Sequence, residues 1–196
     1  KAAKKIKEVY VSTNCPEIAS VSERYGAKAP FLRPEKISDD YASTESAVEH
    51  FCEFLDKQRL NFKNILLIQC TSPVRSSRRF DDAIASFGER KLDSLIAVSK
   101  TDKFIWKDVN EPQANYNYLQ RPRRQDLIKS EPSFVETGSF YLFKRSVFIK
   151  EKNRICGKHG LYVTPEEESF DIDSKLDFLV CEALITKARE LRNFAA

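Results

Sequence analysis

The chain has no methionine, one tryptophan and two histidines among its 196 residues. With not even an initiator methionine, it reads as a fragment or as a chain in which that residue has been replaced. His50 and His159 have no ligand or triad partner near them in sequence, so neither carries a catalytic role, and no Ser/His/Asp or Cys/His set is visible. No run is long and apolar enough to span a bilayer, and no signal peptide opens the chain. The five cysteines (Cys15, Cys52, Cys70, Cys156, Cys181) are an odd number without CxxC or Cys/His ligand spacing. That excludes a disulfide framework and a zinc site, and predicts reduced core thiols in a reducing intracellular compartment. Internal repeats and low-complexity tracts are absent too. A net charge of +4 lacks the dense basic stripe of a nucleic-acid binder and favours small acidic ligands.

What is present is enough apolar residue, 41%, beside 32% charged residue, for one soluble globular domain spanning residues 1–196. Residues 1–7 read as the last turns of a basic helix and 8–12 as a strand. An α/β unit normally opens on a strand whose following loop cradles phosphate, so the chain is expected to start partway through its fold. Pro16 begins a helix that Gly26 ends, 29–33 is a short strand, and a polar loop leads into a helix over 44–60. NILLIQC (64–70) is a continuous apolar run of the kind buried on both faces of a parallel sheet. A helix over 78–89 and a buried strand over 94–99 follow. Residues 104–128 lose periodicity and read as an excursion outside the sheet. Regularity returns with a strand at 139–143, a helix at 145–150, a strand at 161–163 and a closing helix over 173–193. The alternation predicts an α/β fold with a doubly wound, mostly parallel sheet.

Ligands of such sheets sit beyond the carboxyl ends of the strands. In FDIDSKLDF (170–178), Asp171 and Asp173 are one residue apart, which in an extended segment puts both on one side. Two close carboxylates repel unless a cation lies between them or one is protonated. Oxygen donors suit a hard cation such as Mg²⁺, which takes one or two carboxylates and fills its other positions with water and phosphate. The plain alternative is a helix cap at Asp173 or Ser174 beside a solvated Asp. Gln69 ends the apolar run with an amide suited to a polyhydroxylated or N-acylated ligand, or it bonds neighbouring backbone while TSP turns the chain. SDDYASTES (38–46) gathers donors at a helix N-terminus, with Arg33 upstream, and Ser43 or Thr44 caps the helix as well. RPRRQD (121–126) sets three guanidinium groups in four residues, a match for carboxylates and phosphates or a solvated basic loop. RNA is a further reading, from the interleaved Tyr116 and Tyr118, but no binding-module signature supports it.

VSTNCPEIASVSERYGA, RPEKISDDYASTES, LIQCTSPVR, RPRRQD, ETGSFYLF and FDIDSKLDF, in that order, resemble the CMP-sialic acid synthetases (N-acylneuraminate cytidylyltransferases) over nearly the whole chain. RPRRQD looks more like the animal-type enzymes. The resemblance implies a nucleotide-diphospho-sugar transferase-like fold and a Mg²⁺-dependent reaction in which CTP and a sialic acid give CMP-sialic acid and pyrophosphate. It implies a homodimer, or a tetramer as a dimer of dimers, with 104–135 as the dimerisation segment. Nucleus, cytoplasm and Golgi are the compartments of its members. Arg33, Ala42 and Thr44 match cytidine-contacting positions, and Gln69 matches the sugar-contacting glutamine of QxTSP. Arg121, Arg124 and Gln125 match the basic motif around sugar and nucleotide, and Tyr141 an aromatic residue beside the sugar. Asp171 and Asp173 match the metal pair and, with Gln69, the catalytic groups. The family's first strand and its Gly/Lys/Arg loop are missing from these residues, so the fragment alone is expected to be inactive. Two other readings stay open: a non-catalytic binding or dimerising subunit of the same fold, and a cytidylyltransferase for a related acidic sugar.

Overall fold

The computed structural model describes residues 2–124, 126 and 132–194, with side chains to residue 187. Its helices are α1 (Pro16–Arg24), α2 (Thr44–Lys57), α3 (Ser77–Glu89), α4 (Arg145–Glu151) and α5 (Lys175–Phe194). Its strands are β1 (Asn64–Ile68), β2 (Ser94–Thr101), β3 (Trp106–Lys107), β4 (Gln113–Ala114), β5 (Ser133–Lys144) and β6 (His159–Thr164). The main sheet runs β1-β5-β2-β6, and β3 and β4 form a separate two-stranded sheet. The chain divides into two compact units. One comprises Lys1–Ile68, Arg75–Ile96 and Phe140–Tyr162; the other comprises Gln69–Val74, Ala97–Ser139 and Val163–Ala196.

In the first unit local chemistry sets the helix ends. Pro16 opens α1 at a position whose N–H has no helical partner. Gly26 follows its end at φ +84°, a conformation open to glycine at little cost. Ser43 caps α2 by accepting from the Ser46 N–H at 3.2 Å. Val48, Cys52 and Leu55 then share one buried face at helical spacing, as do Phe80, Ala83 and Phe87 on α3. These stripes and the strands enclose a core with Leu55, Leu95, Phe143 and Phe148 fully buried. Ring contacts tie it together: Phe80 to Phe140 at 5.6 Å and Phe143 to Phe148 at 5.2 Å between centroids.

Four expectations are corrected. Residues 2–7 are not helical: the Lys4 and Lys5 amides donate to the Asp81 carboxylate at 2.9 and 2.7 Å, and lysines three and four apart would repel in a helix. The segments near Tyr10 and Lys28, and near Thr13 and Leu32, pair in parallel only as isolated bridges, not as strands. β1 is half-buried at the sheet edge and antiparallel to β5, with Asn64 opposite Lys144 and Ile68 opposite Phe140. An apolar run reports that a strand meets a core, and partner direction is settled elsewhere in the chain. The sheet is therefore mixed within the expected α/β class. Finally, all five cysteines are free, but only Cys52, Cys156 and Cys181 are buried; Cys70, beside a turn rather than inside a strand, is exposed.

Asp93 links three segments of this unit. Its carboxylate accepts from Lys144 Nζ at 2.7 Å and from the Lys158 amide at 2.9 Å, and its carbonyl accepts from the Lys144 amide. The Lys144 ammonium first, and the Lys158 amide second, hold its carboxyl below the ordinary aspartate value. A carboxyl depressed in the folded state stabilises above its unfolded pKa of about 3.9, and that contribution is lost as pH falls through the lower, folded value. Urea midpoints taken from neutral to strongly acid pH should therefore fall below about pH 4, less steeply in Asp93→Asn. Phe143→Ala, which empties a fully buried site, should cost about 3–5 kcal/mol in the same measurement at neutral pH.

Candidate active site

The second unit brings together the end of β1's following loop, the middle of β5 and the segment ahead of α5. The Ile172 amide donates to the Thr71 carbonyl at 2.9 Å, fastening the Asp171 segment to the TSP turn. Ser72 is fully buried, and its hydroxyl faces two acceptors, the Thr137 carbonyl at 3.2 Å and Asp171 Oδ1 at 3.3 Å. Gly138 sits inside β5 at φ +65°, a left-handed conformation that a residue with a Cβ resists. A Cβ there would lie 2.8 Å from Gln69 Oε1 and 2.9 Å from Asp171 Oδ2. The amide of Gln69 and the carboxylate of Asp171, predicted separately, thus meet over one glycine.

The acidic pair is not consumed by the helix cap. Ser174 and Asp177 cap α5 reciprocally: Asp177 Oδ2 accepts from the Ser174 amide at 2.8 Å, and Ser174 Oγ accepts from the Asp177 amide at 3.3 Å. That cap is the Ser174 half of the plain alternative. Asp171 is half-buried with Ser72 as a partner. Asp173 is exposed, and its side chain makes no hydrogen bond or ion pair among the described residues. Burial first, then the Asp177 and Asp171 carboxylates, pushes the Cys181 thiol up, so no thiolate nucleophile arises beside them.

The arginines lie in the same unit but are held locally. Arg121 stacks its guanidinium on Phe104 at 4.1 Å, Arg123 pairs with Asp126 at 2.7 Å, and Arg124 with Asp102 at 3.5 Å. Gln125 lies outside the described residues, as does part of the 104–135 segment. The rest of that segment carries β3, β4 and a 3-10 turn at Tyr118–Gln120, a small hairpin that irregular composition concealed.

Arg33, Ala42, Thr44 and Tyr141 belong to the first unit. Arg33 Nε donates to Ser38 Oγ at 2.9 Å, which folds the 34–43 loop back on the strand-like segment before it. The Ala42 amide donates to the Asp39 carbonyl at 3.1 Å, and Thr44 is the first residue of α2. Tyr141 is buried with the Arg154 guanidinium 4.6 Å above its ring, and Arg154 pairs with Glu45. Neither Arg154 nor Ser72 and Gly138 was identified as a site residue from sequence. Ser72 carried a signal as part of the TSP turn, and Gly138 as the glycine of ETGSFYLF.

Asp171 presents a carboxylate oxygen beside Gln69 Oε1, oxygen donors of the kind a hard cation takes. Among the described residues, no three His, Cys, Asp or Glu side chains gather to hold a metal. Two carboxylates alone suit a Mg²⁺ that completes its shell with water and substrate oxygens.

No family model matches the chain. Its fold is nevertheless that of the nucleotide-diphospho-sugar transferases. CMP:2-keto-3-deoxy-manno-octonic acid synthetase, solved in complex with CTP, superposes with a TM-score of 0.61 at 14% identity, covering 95% of this chain and 84% of that one. The 4-diphosphocytidyl-2C-methyl-D-erythritol synthase of Anaerococcus prevotii superposes at 0.63 and 13% identity, covering 93% and 83%. In sequence, the chain is 32% identical to N-acylneuraminate cytidylyltransferase A of Danio rerio over 186 residues, which is 91% of this chain but 41% of that enzyme. It is 27% identical to the pseudaminic acid cytidylyltransferase of Campylobacter jejuni, over 87% of this chain and 74% of the relative. The CMP-N,N'-diacetyllegionaminic acid synthase of that species is 29% identical, over 94% and 79%. Over most of its length the chain is thus similar to cytidylyltransferases of the CMP-sialic acid synthetase type, at 27–32% identity.

Gly138→Ala tests the meeting point. The left-handed φ alone should cost roughly 1–2 kcal/mol, and displacement of Gln69 and Asp171 adds to it. Chemical denaturation should show the loss, with far-UV circular dichroism unchanged.

Proposed function

We propose that the chain is a cytidylyltransferase, transferring CMP from CTP to an acidic sugar of the sialic-acid class with release of pyrophosphate. The observation that carries this reading is the convergence of Gln69, Ser72 and Asp171 around Gly138, in a chain similar to these cytidylyltransferases. The sugar's anomeric hydroxyl is a weak nucleophile and must approach a triphosphate that repels it. Asp171 and Asp173 would hold Mg²⁺. When bound, that ion neutralises phosphate charge and lowers the pKa of a coordinated hydroxyl. The amide of Gln69 both donates and accepts, so it can orient the sugar's hydroxyl and N-acyl groups. Arg121 and Arg124 take the sugar carboxylate and phosphates. Both arginines are exposed and their present contacts are worth about 0–1 kcal/mol, so a charge-assisted contact of about 1.5–3 kcal/mol draws them to an anion. Arg33, Ala42 and Thr44 match cytidine-contacting positions of the family that the chain resembles, and Tyr141 an aromatic position beside its sugar. Catalysis is then positioning with charge stabilisation, and no covalent protein intermediate is needed.

The relatives act, by name, on three different acidic sugars at 27–32% identity, so the preferred one is for competition assays to choose. Calorimetry with CTP should show binding that depends on Mg²⁺ and weakens at least tenfold in Asp171→Asn and in Asp173→Asn. CMP-sugar formation, measured on a form that includes the Gly/Lys/Arg loop, should fall with it. Undiminished binding and turnover in both variants would sink the metal role, and CTP binding without any turnover would favour a non-catalytic subunit.

A further inference from the structure

We infer that Ser72 is a positioning residue for the metal-binding carboxylate, setting which oxygen of Asp171 is free. The inference rests on the proposed metal role of Asp171 and concerns a buried residue that acts through that carboxylate. Ser72 has no solvent exposure, yet its hydroxyl lies between a backbone carbonyl and a carboxylate oxygen. It carries a single proton for the two acceptors, and donation to the charged oxygen is the stronger option. Engaging Oδ1 fixes the carboxylate plane, and Oδ2 is the oxygen that looks over Gly138 towards Gln69 Oε1. The backbone closes the same arrangement from both ends. Thr71, next to Ser72, accepts from Ile172, next to Asp171, so the two backbone segments that carry the pair are held together.

A buried hydroxyl could instead serve packing alone, and this unit provides the control. Thr164 is buried and donates Oγ1 to the Val98 carbonyl at 3.2 Å, a hydroxyl–carbonyl bond of the same kind that does not involve Asp171. Partners that orient a metal ligand typically contribute ten- to a hundredfold to metal affinity, on the order of what is expected here.

The test is Mn²⁺ affinity of the full chain, read as free Mn²⁺ by electron paramagnetic resonance, with urea melts on every variant. Ser72→Ala should weaken binding roughly 10–100-fold while the protein stays folded, and Thr164→Val should leave the affinity unchanged. Ser72→Thr, which keeps the hydroxyl, should recover most of the loss. Wild-type affinity in Ser72→Ala, or an equal loss in Thr164→Val, overturns the positioning role even if Asp171→Asn abolishes binding. Should wild-type chain take up no Mn²⁺, or Asp171→Asn bind it equally well, the metal reading fails and this inference falls with it.

Discussion

Asp171 can serve as a ligand only if its carboxylate is neither buried in a cap nor lost to solvent, and the structure meets that constraint with three small devices. Ser174 and Asp177 take over the capping of α5, so the amides that would have competed for Asp171 are already bonded. The Ile172-to-Thr71 hydrogen bond brings the segment against the TSP turn. Gly138 removes the side chain that would otherwise occupy the place where Gln69 and Asp171 meet. Each device is a local feature of ordinary strength. Together they hold a charged oxygen half-buried and pointed.

The two units share part of their chemistry. The first is held by apolar and aromatic side chains, with Phe143 and Phe148 fully buried and a second ring cluster joining Tyr10, Phe31, Phe51 and Phe54. Both bury paired hydroxyls: in the first, Ser94 donates to the Cys156 carbonyl at 2.8 Å, and in the second Thr137 donates to the Ala97 carbonyl and Thr164 to the Val98 carbonyl, both at 3.2 Å. A buried hydroxyl is tolerated only when paired, because an unpaired one keeps its full desolvation cost. Such directional pairs hold side chains in fixed orientations. An aromatic core suits a unit that must supply stability.

Much of the fold was legible in the chain because its signals are local. Pro16 and Gly26 bracket α1, Ser43 caps α2, and Ser94 to Ser99 reads directly as a buried strand. Gln69, Asp171 and Asp173 stood out as candidates as well, and the structure brings the first two side by side. Errors arose where a local signal had two meanings. The lysines of 1–7 fit a basic helix equally well until Asp81, distant in sequence, accepts two of their amides. The NILLI run fits a parallel strand until β5 pairs with it antiparallel.

The sequence by itself determined the elements, the acidic and basic groups on offer and the family resemblance, because composition, spacing and caps act over a few residues. Tertiary structure alone decided that Ser72 faces Asp171 across 99 positions of chain and that Gly138 stands where two oxygens converge. It also decided that Tyr141 is buried beneath Arg154. Those facts depend on which distant segments share a sheet and a turn, and chain closure over such separations leaves no periodic trace in the residues themselves.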